Sequence, residues 1–199
     1  MDKTPESTIH NIFDSVKSHD SASTRMNVFE AIKTRRSVRK YRPQPIPEDH
    51  LKQIMTAAQL APSAGNRQPW RFILVKDPDT KKQLGTIARN QTWISDAGVI
   101  VAALAMDKKN PEISERWAER DVMTAVEHMV LAAWELGYGT CWIGAFNEDQ
   151  VKELLKVPRE MTVINLLPIG VPDQTPEPKG RKTIEELFHL DRYGNPIKP

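Results

Sequence analysis

Apolar side chains recur at helical spacing in several stretches of the chain and predict helices there. The first predicted helix follows Asn27, which with Glu30 three residues later resembles a capping box. The helix over 121–136 is apolar around most of its girth, which indicates burial on several sides, in a core or at a subunit interface. The other helices are predicted over 47–60 and 148–155, with a helical turn near 184–188.

Short apolar runs bounded by turn residues predict the strands. Two of these runs have the composition of buried strands, at 71–76 and 97–106. Shorter strands are expected at 140–143 and 163–171, and residues 35–41 are expected to be extended. Helices and strands thus interleave along the chain, which predicts an α/β or α+β sandwich. The proline-rich tail from Pro172 to Pro199 is expected to have little regular structure.

Residues 1–25 are predicted to be an extension of a single domain that spans 26–199. One helix face in this extension carries Ile9, Ile12, Phe13 and Val16. Such a face belongs either to a frayed terminus or to an arm that packs on its own domain or on a second subunit.

The composition is that of a globular protein, with 199 residues, of which 39% are hydrophobic and 27% charged. No apolar run approaches the roughly 18 residues of a membrane helix, and the polar N-terminus has no apolar signal core. We therefore expect a cytoplasmic protein with no membrane partner. The single cysteine, Cys141, excludes an intrachain disulfide and a metal site of several cysteines, so we expect no bound metal and interpret this residue as a packing side chain.

Positive charge is concentrated in one segment. The net charge of the chain is +2, but residues 25–42 alone carry +6, which leaves −4 for the remaining residues. Nucleic-acid-binding domains depend on a larger electrostatic attraction than a total of +2 provides, so we expect no nucleic-acid partner. The segment instead predicts that something anionic is held near residue 36.

Several common catalytic motifs do not occur in the sequence. It contains no G-x-G-x-x-G, no G-x-x-x-x-G-K-[ST] and no H-E-x-x-H. Ser37 and Lys40 fit the S-x-x-K pattern of serine acyl-enzymes, but the companion K-T-G is missing and so short a pattern arises easily by chance. Serine acyl-enzyme chemistry is therefore disfavoured.

Arg35, Ser37 and Arg39 would project from one side of an extended chain, because alternate side chains share a side. Two guanidinium groups and a hydroxyl supply charge, bidentate donors and a smaller donor between them, which suits a phosphate. The alternative is a solvated basic stretch that binds nothing.

Two further segments have residues that suit a flat polar ligand. Asn66 and Gln68 offer donors and acceptors for the edge of a heteroaromatic ring. Gly137 and Gly139, after the helix over 121–136, would let a ligand approach the backbone closely. The alternatives are an ordinary loop in the first case and a helix C-cap with a turn in the second.

Together these segments resemble the FMN-dependent nitroreductase family. The residues that carry the resemblance are RRSVRKY (35–41), APSAGNRQPW (61–70), LAAWELGYGTCWIG (131–144) and KGRK (179–182), and it covers about Met26 to Leu187. It implies the α+β fold of that family, an α/β sandwich in which helices flank a central, mostly antiparallel sheet. It also implies a homodimer with two flavins at the interface and the helix over 121–136 at its centre.

The resemblance further implies which residues bind the cofactor. Those implied for the FMN phosphate and ribityl chain are Arg35, Ser37, Arg39, Lys179 and Arg181, with Arg36 near the flavin edge. Those implied for the isoalloxazine ring are Pro62, Ser63, Asn66 and Gln68, often across the subunit boundary, and Trp142, Ile143 and Gly144, where a backbone N–H faces N5.

The implied activity is a ping-pong reaction, in which NAD(P)H delivers hydride to FMN and a nitroaromatic, quinone or related small acceptor then takes the electrons. Because the cofactor carries this chemistry, we nominate no catalytic side chain. One alternative is a family member specialised for another acceptor, by enone reduction or dehalogenation; another is a non-catalytic protein that stores or senses FMN. Residues 107–120 form a short segment where fuller-length relatives carry helices over the flavin, which leaves the acceptor open.

Overall fold

The computed structural model describes residues 26–105 and 111–197. The apolar face predicted within residues 1–25 lies outside the described residues, as do residues 107–110 of the short segment. The helices are α1 (Val28–Thr34), α2 (Glu48–Gln59), α3 (Pro78–Ile87), α4 (Pro111–Glu135), α5 (Glu148–Leu155) and α6 (Ile184–Leu187). The strands are β1 (Tyr41–Arg42), β2 (Trp70–Val75), β3 (Val99–Ala105), β4 (Gly139–Thr140) and β5 (Thr162–Pro172).

These strands form one antiparallel sheet with the order β1-β5-β3-β2, and β4 also pairs with β5. The sheet confirms the predicted α+β class. All seven residues of β3 are buried, because β3 is central and both faces of the sheet are covered. None of the described helices is both long and apolar enough to span a membrane.

Helices pack on both faces of the sheet. On one face, α2 and α4 pack against alternate strand residues such as Val101 and Leu167. On the other face, α3 and α5 pack against the residues in between, such as Ile100 and Leu166. This alternation follows from the strand geometry, in which successive side chains point to opposite faces.

The N-terminus of α1 is capped as the sequence predicts. The Asn27 side chain accepts a hydrogen bond from the Glu30 N–H at 2.9 Å. Among the described hydrogen bonds, only this half of the predicted capping box is formed.

Two helices differ from the prediction. The start of α4 is at Pro111, ten residues before the predicted start at 121, because the sequence PEISERWAER is largely polar and carries no continuous apolar stripe. The helix α3 was missed altogether, since it buries only Leu84 and Gly85. Its start does carry a recognisable signal, for Asp77 caps the Thr80 N–H and Pro78 occupies the first helical turn.

Candidate active site

A groove of about 720 Å³ opens between the segment after α1 and the C-terminal tail. It is lined by Ile32, Lys33, Thr34, Arg35, Arg36, Ser37, Arg39, Pro176, Glu177, Pro178, Lys179 and Arg181. Six of these described residues are basic and one is acidic, so the groove favours an anionic ligand. The fold thus brings the basic segment at 35–39 and the late KGRK motif together, as the resemblance implies.

The extended segment that lines the groove is pinned to the sheet through Val38. Its N–H donates to the Thr140 carbonyl at 2.9 Å, and its own carbonyl accepts from the buried Tyr41 hydroxyl at 2.8 Å. Gly139 allows this approach, because a Cβ there would lie 2.6 Å from the Val38 side chain. With Val38 buried, the neighbouring Ser37 and Arg39 are left to line the groove.

Arg36 is engaged by the backbone. Its Nη1 donates to the carbonyl oxygens of Lys33, Thr34 and Arg35 at 3.1, 2.8 and 2.8 Å. A guanidinium at the C-terminus of α1 satisfies carbonyls that have no helical partner. Arg36 therefore satisfies carbonyls at the C-terminus of α1 while it lines the groove, a role that the sequence alone did not suggest.

A smaller cleft of about 200 Å³ adjoins the groove, on the side of α4 and β4. It is lined by Arg35, Ser37, Arg39, Glu127, Val130, Thr140, Cys141 and Trp142. The first three residues are shared with the groove, so a single ligand could place an anionic end in the groove and an aromatic end beside Trp142. Of the predicted trio at 142–144, Trp142 lines the cleft, whereas Ile143 is buried and Gly144 is exposed but not part of the cleft lining.

Glu127 is the acidic residue of this cleft and was not predicted from the sequence. Its carboxylate lies 3.8 Å from the Arg35 Nε. Burial raises the pKa of Glu127 above its ordinary value, and the positive charges of Arg35 and His128 oppose that rise. Glu127 is the one carboxylate between residues 122 and 134 of α4, which was the available signal, but no motif marks it.

Cys141 is buried, and burial raises the pKa of its thiol above the ordinary value despite the charges of Arg39 and Arg35. A raised pKa keeps the thiol protonated at neutral pH, the less nucleophilic form. This supports the interpretation of Cys141 as a packing residue.

The loop over residues 62–68 lines neither the groove nor the cleft of the same chain. Gly65, Asn66 and Gln68 adopt positive φ angles of 58°, 52° and 50°. Two of these residues carry side chains, for which this conformation is strained. The Ser63 hydroxyl accepts from the Gln68 N–H at 3.0 Å, so the strained turn is closed by its own residues.

Asp121 anchors this loop to α4. Both of its carboxylate oxygens lie within reach of the Ala64 N–H, at 3.2 and 3.1 Å, and the residue is buried. This charge-assisted hydrogen bond from the Ala64 N–H to the buried Asp121 carboxylate fixes the strained turn to α4. Sequence reasoning missed Asp121, because it is the first residue of the predicted helix and looked like an ordinary helix start.

The chain is similar to known proteins in sequence and in fold. The nitroreductase family model matches residues 32–98 and 88–171. A protein of Methanothermobacter thermautotrophicus is 32% identical over 87% of this chain and 88% of its own length. The Bacillus subtilis protein named as an FMN reductase with NAD(P)H is 31% identical over 84% of this chain and 75% of its own length. The solved structure of the Vibrio harveyi NADPH:FMN oxidoreductase with NAD+ is 26% identical, has a TM-score of 0.79 and matches 84% of this chain and 78% of that chain.

Proposed function

The chain belongs to the nitroreductase family, and we propose that it is an FMN-dependent oxidoreductase that takes hydride from NAD(P)H and passes the electrons to a small organic acceptor. One observation carries this proposal: Arg35, Ser37 and Arg39 line both the basic groove and the cleft beside Trp142. The phosphate and the ring of a single FMN would then have adjoining places. The FMN reductase of Bacillus subtilis and the NADPH:FMN oxidoreductase of Vibrio harveyi support the same cofactor.

The donor set of the groove fits the phosphate of FMN. Arg35 and Arg39 come from the extended segment, and Lys179 and Arg181 come from the tail, so cations approach the groove from two parts of the chain. Charge-assisted hydrogen bonds from guanidinium groups are the strong, bidentate kind that phosphates accept. The volume of about 720 Å³ lies within the range of small-molecule sites, which is roughly 300–1,000 Å³.

Bound FMN would supply the hydride and electron chemistry, and the residues of this chain would bind and orient it. Val130 and Trp142 present apolar surface to the cleft, which suits a flat aromatic ring. Two residues after Trp142, Gly144 is exposed and a Cβ there would meet nothing within 4 Å, so a ring could approach the backbone of this segment.

The proposed site takes its remaining residues from a second copy of the chain. Pro62, Ser63, Asn66 and Gln68 lie outside both cavities of their own chain, although Asn66 and Gln68 are exposed and available to a ligand. Large apolar side chains are more than half exposed on α1 and on the tail, namely Val28, Phe29, Ile32, Ile184, Leu187 and Phe188. Exposed apolar surface of this kind is typical of an interface between proteins. A homodimer would cover it and supply the loop to the partner's flavin.

The dimer and the activity are tested separately. Sedimentation of the purified protein should give the mass of two chains, and the mass of one chain would contradict the dimer. Initial rates of NADH and NADPH oxidation should then be measured with a nitroaromatic, a quinone, an enone and a halogenated phenol, with and without added FMN. We expect oxidation that depends on FMN and on at least one acceptor. A protein that holds FMN but oxidises neither nicotinamide would instead be the storage or sensing protein.

A further inference from the structure

The strand β5 carries a β-bulge close to its pairing with Ile143, in the segment 142–144 that follows β4. Ala103 of β3 pairs with Asn165, but the next residue, Leu104, pairs with Val163, so Ile164 is an extra residue in β5. Ile164 packs in the core on the α4 side, whereas Val163 belongs to the core of the opposite face. Bulges of this kind re-aim a side chain and occur often beside active sites.

Asn165 directly follows this bulge and is a polar side chain among apolar neighbours. It is 3% exposed, and its Nδ2 donates to the Ile143 carbonyl at 3.2 Å. Its Oδ1 is buried and has no hydrogen-bond partner among the described residues. A buried oxygen without a partner lowers stability, so an apolar residue here would be expected to stabilise the fold. The bond to Ile143 is therefore the one described interaction that accounts for an amide at this position.

That bond acts on the peptide between Ile143 and Gly144. The Ile143 carbonyl accepts from the Leu166 N–H at 3.0 Å as well as from Asn165. Two donors on one carbonyl polarise the peptide group, which makes its N–H a stronger donor. That N–H belongs to Gly144, and among the described residues it donates to no acceptor. A polarised and unpaired donor thus lies in the exposed residue Gly144, two residues after Trp142, which lines the cleft.

We propose that Asn165 is a positioning residue for the flavin, which holds and polarises the Ile143–Gly144 peptide so that the Gly144 N–H donates to a nitrogen of the ring. This inference rests on the proposed function. Hydrogen bonds to ring nitrogens tune the electronics of a flavin. The flavin ring gains negative charge when it accepts hydride. A preorganised donor beside the ring stabilises that charge and so favours the reduced flavin. The buried Asn165 side chain thus lowers the stability of the fold, and its hydrogen bond to the Ile143 carbonyl raises the reactivity of the flavin.

The test uses Asn165→Leu, which keeps a similar volume and removes the donor. We expect the apoprotein to unfold at the same or a higher temperature than the wild type. The midpoint potential of bound FMN should fall, and the rate constant for its reduction by NAD(P)H should fall about tenfold, the effect of losing one hydrogen bond. Asn165→Ala, which removes the same donor with a smaller side chain, should shift the potential in the same direction.

The matched control is Val163→Ala, on the other side of the same bulge, which should lower the unfolding temperature and leave the flavin potential unchanged. The inference would be overturned if both Asn165 variants kept the wild-type midpoint potential of FMN and the wild-type rate of its reduction. A shift in potential that Val163→Ala reproduces would also overturn it, since the effect would then be a general loosening of β5. A wild-type protein that binds no FMN would overturn the proposed function. If NAD(P)H reduces FMN bound to the wild type, and the Asn165 variants show the same potential and reduction rate, only this inference is overturned.

Discussion

The Arg35 Nε and the Glu127 Oε1 lie 3.8 Å apart, so a carboxylate of this chain already faces an arginine of the proposed phosphate site. Burial raises the pKa of Glu127, while Arg35 and His128 oppose the rise. Arg39 and Cys141 line the same cleft, so among the described residues the titratable groups around Glu127 are Arg35, Arg39, His128 and Cys141. A phosphate that binds Arg35 brings further negative charge toward Glu127. The two anions therefore compete for the same cation when Glu127 is ionised.

We predict that Glu127→Gln binds FMN more tightly than the wild type, by about threefold to tenfold at neutral pH, since the pair is partly exposed and screened. Below the raised pKa, wild-type Glu127 is protonated and the difference should vanish; above it, the difference should grow. Fluorescence titrations with FMN between about pH 5 and about pH 8 measure this. The ratio of the two affinities cancels the titration of the phosphate itself, whose second pKa is about 6.

Glu135→Gln is the matched control for that experiment, because Glu135 lies on the same helix, is exposed and lines neither the groove nor the cleft. It should leave FMN affinity unchanged at every pH. A ratio for Glu127→Gln that stays at one across the whole range would show that Glu127 and the phosphate do not compete.

Arg35→Ala and Arg181→Ala should each weaken FMN binding by about 1.5–3 kcal/mol, the value of a hydrogen bond to a charged group. Arg42→Ala is the control, because Arg42 lies in the same basic segment but pairs with Asp173 instead of lining the groove. Isothermal titration with FMN compares the three variants. Equal losses in all of them would mean that net charge, and not this groove, determines the affinity.

Asp121→Ala should loosen the loop over residues 62–68, since it removes the carboxylate that accepts the Ala64 N–H. Amide hydrogen exchange of the loop should become faster, and the dissociation constant for FMN should rise by about threefold to tenfold. Asp121→Asn keeps an acceptor oxygen and should have a smaller effect on both. Faster exchange with an unchanged FMN affinity would contradict the assignment of this loop to the flavin.

Gly139→Ala should destabilise the fold by about 1–3 kcal/mol, because the added Cβ overpacks against Val38. The double variant with Val38→Gly should be more stable than the sum of the two single effects predicts, since the second change removes all three Val38 side-chain atoms that the added Cβ would meet. Urea unfolding of the four proteins measures this coupling. Additive effects would show that Gly139 is required for another reason.

Much of the fold could be predicted from periodicity. The bounds of α5 match the prediction residue for residue, and β5 differs by one residue at each end, because each carries a regular apolar pattern. The first turns of α4 and the whole of α3 were missed, since their helices depend on packing and caps more than on an apolar stripe.

The residues of the candidate site likewise fall into those that motifs predict and those that they do not. The meeting of Arg35 with Arg181 followed from motifs that could be matched to a family, and the groove contains both residues. Glu127, Asp121 and Asn165 were not identified, because each is a single polar residue whose role depends on a tertiary partner. A sequence pattern records residue types at spacings, and it holds no information on which carbonyl or guanidinium such a side chain will meet.

The central claim is tested most directly by anaerobic titration of the FMN-loaded protein with NADH and with NADPH, followed by absorbance. We predict that the visible flavin band bleaches with about one equivalent of at least one nicotinamide, as expected for a two-electron transfer, and returns when an acceptor is added. A protein that takes up no FMN, or whose bound FMN keeps its oxidised spectrum with excess NADH and NADPH, would contradict the account.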